Sequence, residues 1–162
     1  MTRKIAEWSE DFQIYGKERA RILELFNREI LAWDLKMPGN EPLVIDFGLR
    51  RYSEMGLIEF WIANEEKEGY CGKFLFVFNN QTCPYHYHHY KHETFFVVKG
   101  KVKMNVEGKV VIMKEGESLA MARGTSHSFA GIGPALLLEV SKPCLPNDSI
   151  FHEKKIGKEG VI

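Results

Sequence analysis

The sequence predicts a mainly β protein, a barrel of short strands preceded by one helix. Two observations carry this prediction: helical spacing of apolar residues occurs only before Asn40, and short apolar runs separated by glycines recur after it. At 162 residues the chain has the length of one domain. We divide it into an N-terminal helical segment (1–40), a β-barrel (41–142) and a C-terminal tail (143–162).

The helix is predicted from Lys17 to about Lys36. Its apolar residues recur at steps of four, four and three: Ile22, Phe26, Ile30 and Trp33. That spacing lines one face of a helix, and Pro38-Gly39 is a stop signal. We expect this face to pack on the barrel or on a second subunit, because an apolar stripe must be buried somewhere.

Short apolar or alternating runs between turn residues predict the strands. They are Val44–Leu49, Gly56–Ile62, Gly72–Phe78, Thr94–Val98, Lys101–Val106, Lys109–Met113, Ser118–Met121 and Leu136–Val140. Many short antiparallel strands favour a closed or double-sheet barrel, which hides their edges. The tail holds Pro143, Pro146 and Asn147, so we expect it to cross the barrel surface as a loop.

Composition argues against several classes of partner. Lys plus Arg and Asp plus Glu both number 22, so the balanced charge gives no reason to expect nucleic acid or an anionic membrane. No apolar run reaches the roughly 20 residues of a membrane span, and the charged N-terminus lacks the apolar core of a signal peptide. Cys71, Cys83 and Cys144 form no C-x-x-C pair, which favours reduced thiols in a cytoplasmic protein.

A histidine cluster indicates a metal site. His86 and His88 are two residues apart, so on a strand they project to the same face. Glu93 could return to that face across a turn, and His127 follows a later short strand. Three imidazoles and one carboxylate suit Mn, Fe, Co, Ni or Zn better than Ca or Mg. The absence of a nearby cysteine argues against a closed structural zinc site.

The spacing around these four residues resembles the two motifs of the cupins, which fold as jelly-roll barrels. The first motif is His-x-His, four residues, Glu, six residues and Gly100. The second is Gly116, seven residues, Gly124, two residues and His127. Three positions depart from the family pattern without supplying a ligand: Asn80, Ala122 and Gly131.

Two further charged residues are candidates for proton transfer. Lys91 lies two residues before Glu93, and a lysine near a bound cation has a lowered pKa; the alternative is a solvated turn residue. Glu139 lies in the apolar run Leu136–Val140, where a carboxylate is costly unless paired or used; the alternative is an edge strand with Glu139 in solvent. No role is predicted for the remaining histidines, His89, His92 and His152.

The chain also resembles the D-lyxose isomerases, which are cupin-type aldose–ketose isomerases. The strongest match is His86-x-His88-x-x-Lys91-x-Glu93. Further matches are Ser118–Phe129, Leu138–Ser141 and Asn147–Phe151, with weaker likenesses at Trp33-Asp34, Phe47–Leu49, Tyr70–Lys73 and Gln81–Pro84. The resemblance implies metal ligands at His86, His88, Glu93 and His127, typically for manganese. It also implies proton transfer by Lys91 and Glu139, and places Lys73 and Asp148 at the sugar or the tail.

We therefore expect a metal-dependent isomerase of D-lyxose/D-xylulose or D-mannose/D-fructose type, with one divalent ion, most simply Mn²⁺, and a homodimeric assembly. Glu139 is the expected base, because apolar surroundings raise a carboxylate pKa toward neutrality. One alternative is an isomerase of a phosphorylated sugar, which would need a cationic grip from Arg123, Arg50 or Arg51. Two others are an iron cupin dioxygenase and a sugar-binding cupin without turnover.

Overall fold

The computed structural model describes residues 10–162, and of Glu10 only the backbone. The charged N-terminus discussed above lies outside these residues. A 3-10 turn (Glu10–Phe12) leads into helix α1 (Gly16–Ala32). The strands that follow are β1 (Leu43–Ile45), β2 (Leu57–Glu65), β3 (Tyr70–Val77), β4 (Thr82–His88), β5 (Glu93–Lys99), β6 (Lys101–Val106), β7 (Lys109–Lys114), β8 (Ser118–Met121), β9 (His127–Gly131), β10 (Ala135–Ser141) and β11 (Ser149–Phe151).

The strands form two antiparallel sheets. One has the order β1-β2-β3-β10-β5-β8 and the other the order β11-β4-β9-β6-β7. From β3 onward the chain passes repeatedly between the sheets, which is the winding of a jelly roll. The predicted mainly β cupin fold with one N-terminal helix is thus confirmed.

Apolar side chains fill the space between the sheets and also the space beneath the helix. The buried residues of the inner cluster include Leu75, Val97, Met104, Phe129 and Leu137. The second cluster joins Ile22, Phe26 and Ile30 of α1 to the outer face of the larger sheet. Phe26 stacks on Phe60 at a ring-centroid distance of 5.3 Å and meets Phe76 edge-on at 5.0 Å.

The helix therefore buries its apolar face on its own barrel, one of the two predicted outcomes. The homodimer stays a prediction, and the apolar face of the helix no longer supports it because that face is already buried. Within residues 10–162, no helix is long and apolar enough to cross a membrane. The cytoplasmic location also stays a prediction.

Two predicted elements are shorter in the structure because the backbone turns early. The helix ends at Ala32 instead of Lys36, and Asp34 adopts the left-handed conformation with φ of 53°. The first strand stops at Ile45, since the Asp46 carboxylate accepts hydrogen bonds from the backbone N–H groups of Gly48 and Arg50. Such an Asx-type turn competes with strand continuation.

The prediction of a surface loop for the tail is wrong. Residues Ser149–Phe151 form β11, which pairs antiparallel with β4 and aligns Phe151 with His86. Phe151 is buried inside the barrel, and Ile156 is fully buried in the same core. A strand of three residues is too short to show an alternation of apolar and polar residues. The prediction of a loop therefore rested on the prolines that precede the strand.

Candidate metal centre and active site

The four predicted metal ligands come together inside the barrel. His86 and His88 lie on β4, while Glu93 and His127 are the first residues of β5 and β9. The β4–β9 register places His86 opposite His127. One ligand atom from each of the four residues lies within 4.8 Å of the others, and all four residues are buried.

Hydrogen bonds to backbone carbonyls set the imidazole tautomers. The Nδ1–H of His86 donates to the Pro84 carbonyl at 2.7 Å, and that of His127 donates to the Thr125 carbonyl at 3.0 Å. A carbonyl oxygen can only accept, so Nδ1 carries the proton and the Nε2 lone pair is left free for a cation. The Nδ1 of His88 faces the Ser149 hydroxyl at 3.4 Å, which permits the same tautomer.

The residues fit a divalent metal ion. The Nε2 atoms of His88 and His127 and the Oε1 atom of Glu93 are buried without a hydrogen-bond partner, whereas Glu93 Oε2 is paired with the Lys91 ammonium. Glu93 Oε1 nevertheless lies 2.8 Å from His127 Nε2 and 3.5 Å from His88 Nε2. Converging buried lone pairs are unfavourable unless a cation lies between them. This cluster could therefore hold a metal, and its N₃O donor set suits a first-row transition ion.

His86 and His88 are held in the neutral form that binds metals. Burial, reinforced by the positive charge of Lys91, keeps the pKa values of His86 and His88 well below the usual range. The imidazole lone pairs are then available at neutral pH without competition from protons.

Lys91 is buried beside the cluster and bridges two carboxylates. Its Nζ lies 2.7 Å from Glu93 Oε2 and donates a hydrogen bond of 2.9 Å to Glu139 Oε1. Burial alone would lower the pKa of Lys91, but Cys144, Glu139 and Glu93 together raise it above its ordinary value. The protein's own charges therefore raise the pKa of Lys91, whereas a lowered pKa was predicted. Because Lys91 is buried, the alternative of a solvated turn residue is also wrong.

Glu139 lies on β10, an inner strand flanked by β3 and β5, and is only 2% exposed. The alternative of a solvent-facing edge position is therefore wrong. Burial would raise the pKa of Glu139, but Lys73, Lys91 and the Ser141 hydroxyl lower it below its usual range. The predicted rise in its pKa is wrong for the same reason, and the carboxylate is ionised at neutral pH.

An alternating series of charges continues from Glu139 away from the cluster. Lys73 Nζ lies 3.4 Å from Glu139 Oε2 and 3.2 Å from Glu59 Oε1. The Lys73 ammonium also lies 4.9 Å from the centroid of the Trp61 ring. Glu59 and Trp61 were not predicted. Glu59 stands inside the apolar β2 run, the same signal that identified Glu139.

Asp148 fixes the turn between the second and third metal-ligand candidates. Its carboxylate accepts hydrogen bonds from the backbone N–H groups of Tyr90 at 2.7 Å and Lys91 at 3.1 Å. Asp148 Oδ2 also lies 3.8 Å from His88 Nδ1. Asp148 belongs to the tail and is buried, so the tail supports the site directly.

A single cavity contains these groups and has apolar walls. The strands contribute Leu57, Leu75, Phe95 and Phe129, while Phe12, Leu145, Phe151 and Ile162 come from the two ends of the described chain. His89, His92 and His152 are exposed, as expected for histidines without a role in the site.

Comparisons with solved structures find the same fold. The L-ribose isomerase of Cellulomonas parahominis, solved with L-ribose, superposes with a TM-score of 0.74 at 18% identity, covering 93% of this chain and 97% of that one. The L-ribose isomerase of Acinetobacter sp. DL28, in complex with L-ribose, gives 0.68 at 18% identity and covers 82% of each chain. KdgF from Halomonas sp. gives 0.51 at 16% identity, covering 55% of this chain and 82% of that one.

Family comparisons agree with the fold and are more specific. No curated protein sequence matches the chain at a significant level. The cupin domain model matches residues 74–141, which include all four candidate ligands. The D-lyxose isomerase model matches residues 6–107, more than half of the sequence. The chain therefore belongs to the D-lyxose isomerase family within the cupins.

Proposed function

We propose that this protein is a metal-dependent isomerase that interconverts an unphosphorylated aldose and its ketose, of D-lyxose/D-xylulose or D-mannose/D-fructose type. The observation that carries the proposal is the buried Lys91–Glu139 pair beside the His/Glu cluster. An oxygenase or a storage cupin has no evident need for a lysine–carboxylate pair at that place. Membership of the D-lyxose isomerase family supports the same reaction.

His86, His88, Glu93 and His127 would hold one divalent ion, for which the family resemblance favours Mn²⁺. When bound, such an ion polarises a carbonyl and makes the adjacent carbon-bound proton easier to remove. Imidazoles bind a metal in their neutral form, and the single Glu93 carboxylate would offset only part of the charge of a divalent ion, so a net positive centre would remain at the cluster.

Glu139 and Lys91 divide the proton transfer. Glu139 is ionised because two lysines face it, so it can take the proton from carbon 2 without first losing one of its own. Lys91 is protonated and can deliver a proton to the substrate. The 2.9 Å hydrogen bond between them then lets a proton return from Glu139 to Lys91, which restores both groups for the next turnover.

The charges of the cavity favour a neutral sugar. Among the described residues that line it, the lysines are Lys73 and Lys91, and carboxylates already contact both. The arginines considered for a phosphate grip, Arg50, Arg51 and Arg123, are exposed and do not line the cavity. A buried phosphate dianion would therefore lack an uncommitted cationic side chain, which is costly.

The test begins with protein stripped by chelator and reloaded with Mn²⁺. Lyxose, xylulose, mannose, fructose, ribose and their phosphates are then followed by NMR in D₂O. We expect metal-dependent interconversion of one unphosphorylated aldose–ketose pair, with deuterium entering next to the carbonyl. Metal binding without turnover of any sugar would overturn the isomerase, and sugar binding alone would then indicate a binding protein. Oxygen consumption with catechols, thiols or diketones would instead indicate a dioxygenase.

A further inference from the structure

Two of the three cysteines meet at the wall of the active-site cavity. The Cys144 backbone is hydrogen bonded to Asn64, the cross-strand neighbour of Cys71, and each thiol shifts the pKa of the other. Cys71 is buried on β3, whereas Cys144 is half-buried in the tail and lines the cavity. The two thiols are separated by 73 positions in sequence, so this contact joins the tail to the barrel.

Asn64 holds the two cysteines in register. Its side-chain amide donates to the Cys144 carbonyl at 3.1 Å, and its side-chain oxygen accepts from the Cys144 N–H at 2.9 Å. In the β2–β3 ladder, Asn64 is the direct Cα partner of Cys71. One residue thus fixes the Cys144 backbone beside Cys71, which limits how far the two sulfur atoms can separate.

The two thiols differ in pKa. The interaction with Cys144 lowers the pKa of Cys71, with a further contribution from the positive charge of Lys73, although burial opposes the shift. The interaction with Cys71 and burial raise the pKa of Cys144 well above its usual value, so Cys71 is the better attacking thiol. The Lys91 ammonium lies 3.9 Å from Cys144 Sγ. Cys83 also borders the cavity, but it is buried and its pKa is raised by burial, and nothing links it to either of the other two cysteines.

We propose that Cys71 and Cys144 form a peroxide-sensitive thiol pair that oxidises to a disulfide. In the first step a hydroperoxide oxidises the more accessible Cys144 thiol to a sulfenic acid, and the O–O bond breaks with release of water or an alcohol. In the second step the Cys71 sulfur attacks the Cys144 sulfur, the S–S bond forms, and the sulfenic oxygen leaves as water with the proton of Cys71. Two thiols are oxidised and one peroxide is reduced.

The disulfide changes the active-site wall. A disulfide bond needs a sulfur–sulfur distance of about 2.0 Å, so the sulfur atoms of Cys71 and Cys144 must approach each other. Any movement of Cys144 draws the segment that links it to Asp148, and Asp148 fixes the turn that carries Lys91. This consequence rests on the proposed function: we expect oxidised protein to lose isomerase activity and to regain it with dithiothreitol.

Peptide mapping tests the disulfide without reference to catalysis. Trypsin places the three cysteines in separate peptides, residues 68–73, 74–91 and 124–154, because the Lys142-Pro143 bond resists cleavage. The full-length, folded protein is treated with hydrogen peroxide, its remaining thiols are alkylated, and the digest is analysed by mass spectrometry. We expect a linked 68–73/124–154 species lighter than the sum of its parts by two hydrogen atoms, and its loss on reduction.

Two variants sharpen the result. Cys83→Ala should give the same linked peptide, whereas Cys71→Ser should give none and should leave Cys144 as a sulfinic or sulfonic acid. Peroxide that leaves Cys71 and Cys144 unlinked in the wild type, or links either to Cys83, overturns the proposal. A linked peptide from a chain that turns over no sugar would sustain the thiol pair and contradict only the proposed isomerase.

Discussion

Lys91 donates a hydrogen bond of 2.9 Å to Glu139, and both side chains are shielded from solvent. Each group offsets the cost of burying the charge of the other, because an unpaired ion in the interior is strongly unfavourable. The pair therefore holds an ionised carboxylate and a protonated amine next to each other. It does so without the pKa shift toward neutrality that the apolar sequence around Glu139 suggested.

Replacement of Glu139 by glutamine should greatly reduce turnover while leaving the metal in place. The amide keeps the size of the side chain and an acceptor for Lys91, but it cannot take a proton from carbon. We expect kcat to fall by about 10²- to 10⁴-fold, with manganese content unchanged by elemental analysis. Glu66→Gln, an exposed change of the same chemistry, is the control and should behave as the wild type. A near-normal rate in Glu139→Gln would remove this residue from the mechanism.

Metal removal should lower the thermal stability of the protein. The buried Glu93 Oε1 and His127 Nε2 have no hydrogen-bond partner of their own, so the folded chain should bind the ion and the unfolded chain should not. At a metal concentration of about 100 Kd the gain is about 2.7 kcal/mol, or roughly 5–10 °C in Tm for a chain of this size. Differential scanning calorimetry with and without chelator measures it.

His127→Ala provides the internal control for that experiment. With one ligand removed, Tm should no longer respond to manganese or to chelator at the same concentrations. If the variant keeps the full metal-dependent shift, the stabilising ion binds somewhere other than this cluster.

Asp148→Asn should weaken metal binding although Asp148 is not itself a predicted ligand. The carboxylate accepts from two backbone N–H groups, and an amide would turn its own NH₂ toward one of them. The turn that joins His88 to Glu93 would then loosen. We expect manganese affinity, measured by calorimetry, to fall by about 10- to 100-fold. Asp34→Asn, on the surface, should have no effect, and an unchanged affinity in Asp148→Asn would show that the turn holds its shape alone.

The sequence was most informative where residue type and spacing act locally. The His86/His88 pair projects from one face of a strand by simple alternation, and the glycine and ligand spacings define two hairpins of a known barrel. Asn80 and Gly131, two of the three positions that depart from the motif, are explained by local backbone geometry in the same way. Asn80 has a φ of 61°, which a glycine would accept readily, and a side chain at Gly131 would collide with the Phe78 carbonyl.

The sequence was least informative where long-range packing decides. Whether Glu139 faces solvent depends on β3 and β5 flanking its strand, and its ionisation depends on Lys73, 66 positions earlier. The tail was misjudged because Phe151 enters the core through a strand too short to show a pattern. Burial by distant segments and ion pairing across strands leave no periodic signal in the sequence.

Phe151→Ala should destabilise the whole domain, in contrast to a change in a surface loop. Phe151 stacks on His86 at 5.0 Å with an interplanar angle of 24° and meets Phe47 at 5.5 Å. Its truncation should cost about 3–5 kcal/mol in the free energy of unfolding, measured by urea denaturation. Phe96→Ala, on the partly exposed outer face of β5, should cost much less. Equal losses in the two variants would contradict the inclusion of the tail in the core.

Lys73→Met should be strongly destabilising, because it leaves Glu59 and Glu139 without the ammonium that lies between them. Methionine retains most of the length of the side chain, so the loss reports charge more than volume. Removing one member of a buried ion network costs about 3–5 kcal/mol.

Lys73→Met should lower the free energy of unfolding by less in a Glu59→Gln background, because one of the two carboxylates that lose the Lys73 ammonium is already replaced by a neutral amide. We expect a coupling free energy of about 0.5–3 kcal/mol from the four urea denaturation curves of this double-mutant cycle. Strictly additive losses would mean that Lys73 does not stabilise the barrel through Glu59, and its contact with the Trp61 ring and its pairing with Glu139 would then account for the loss.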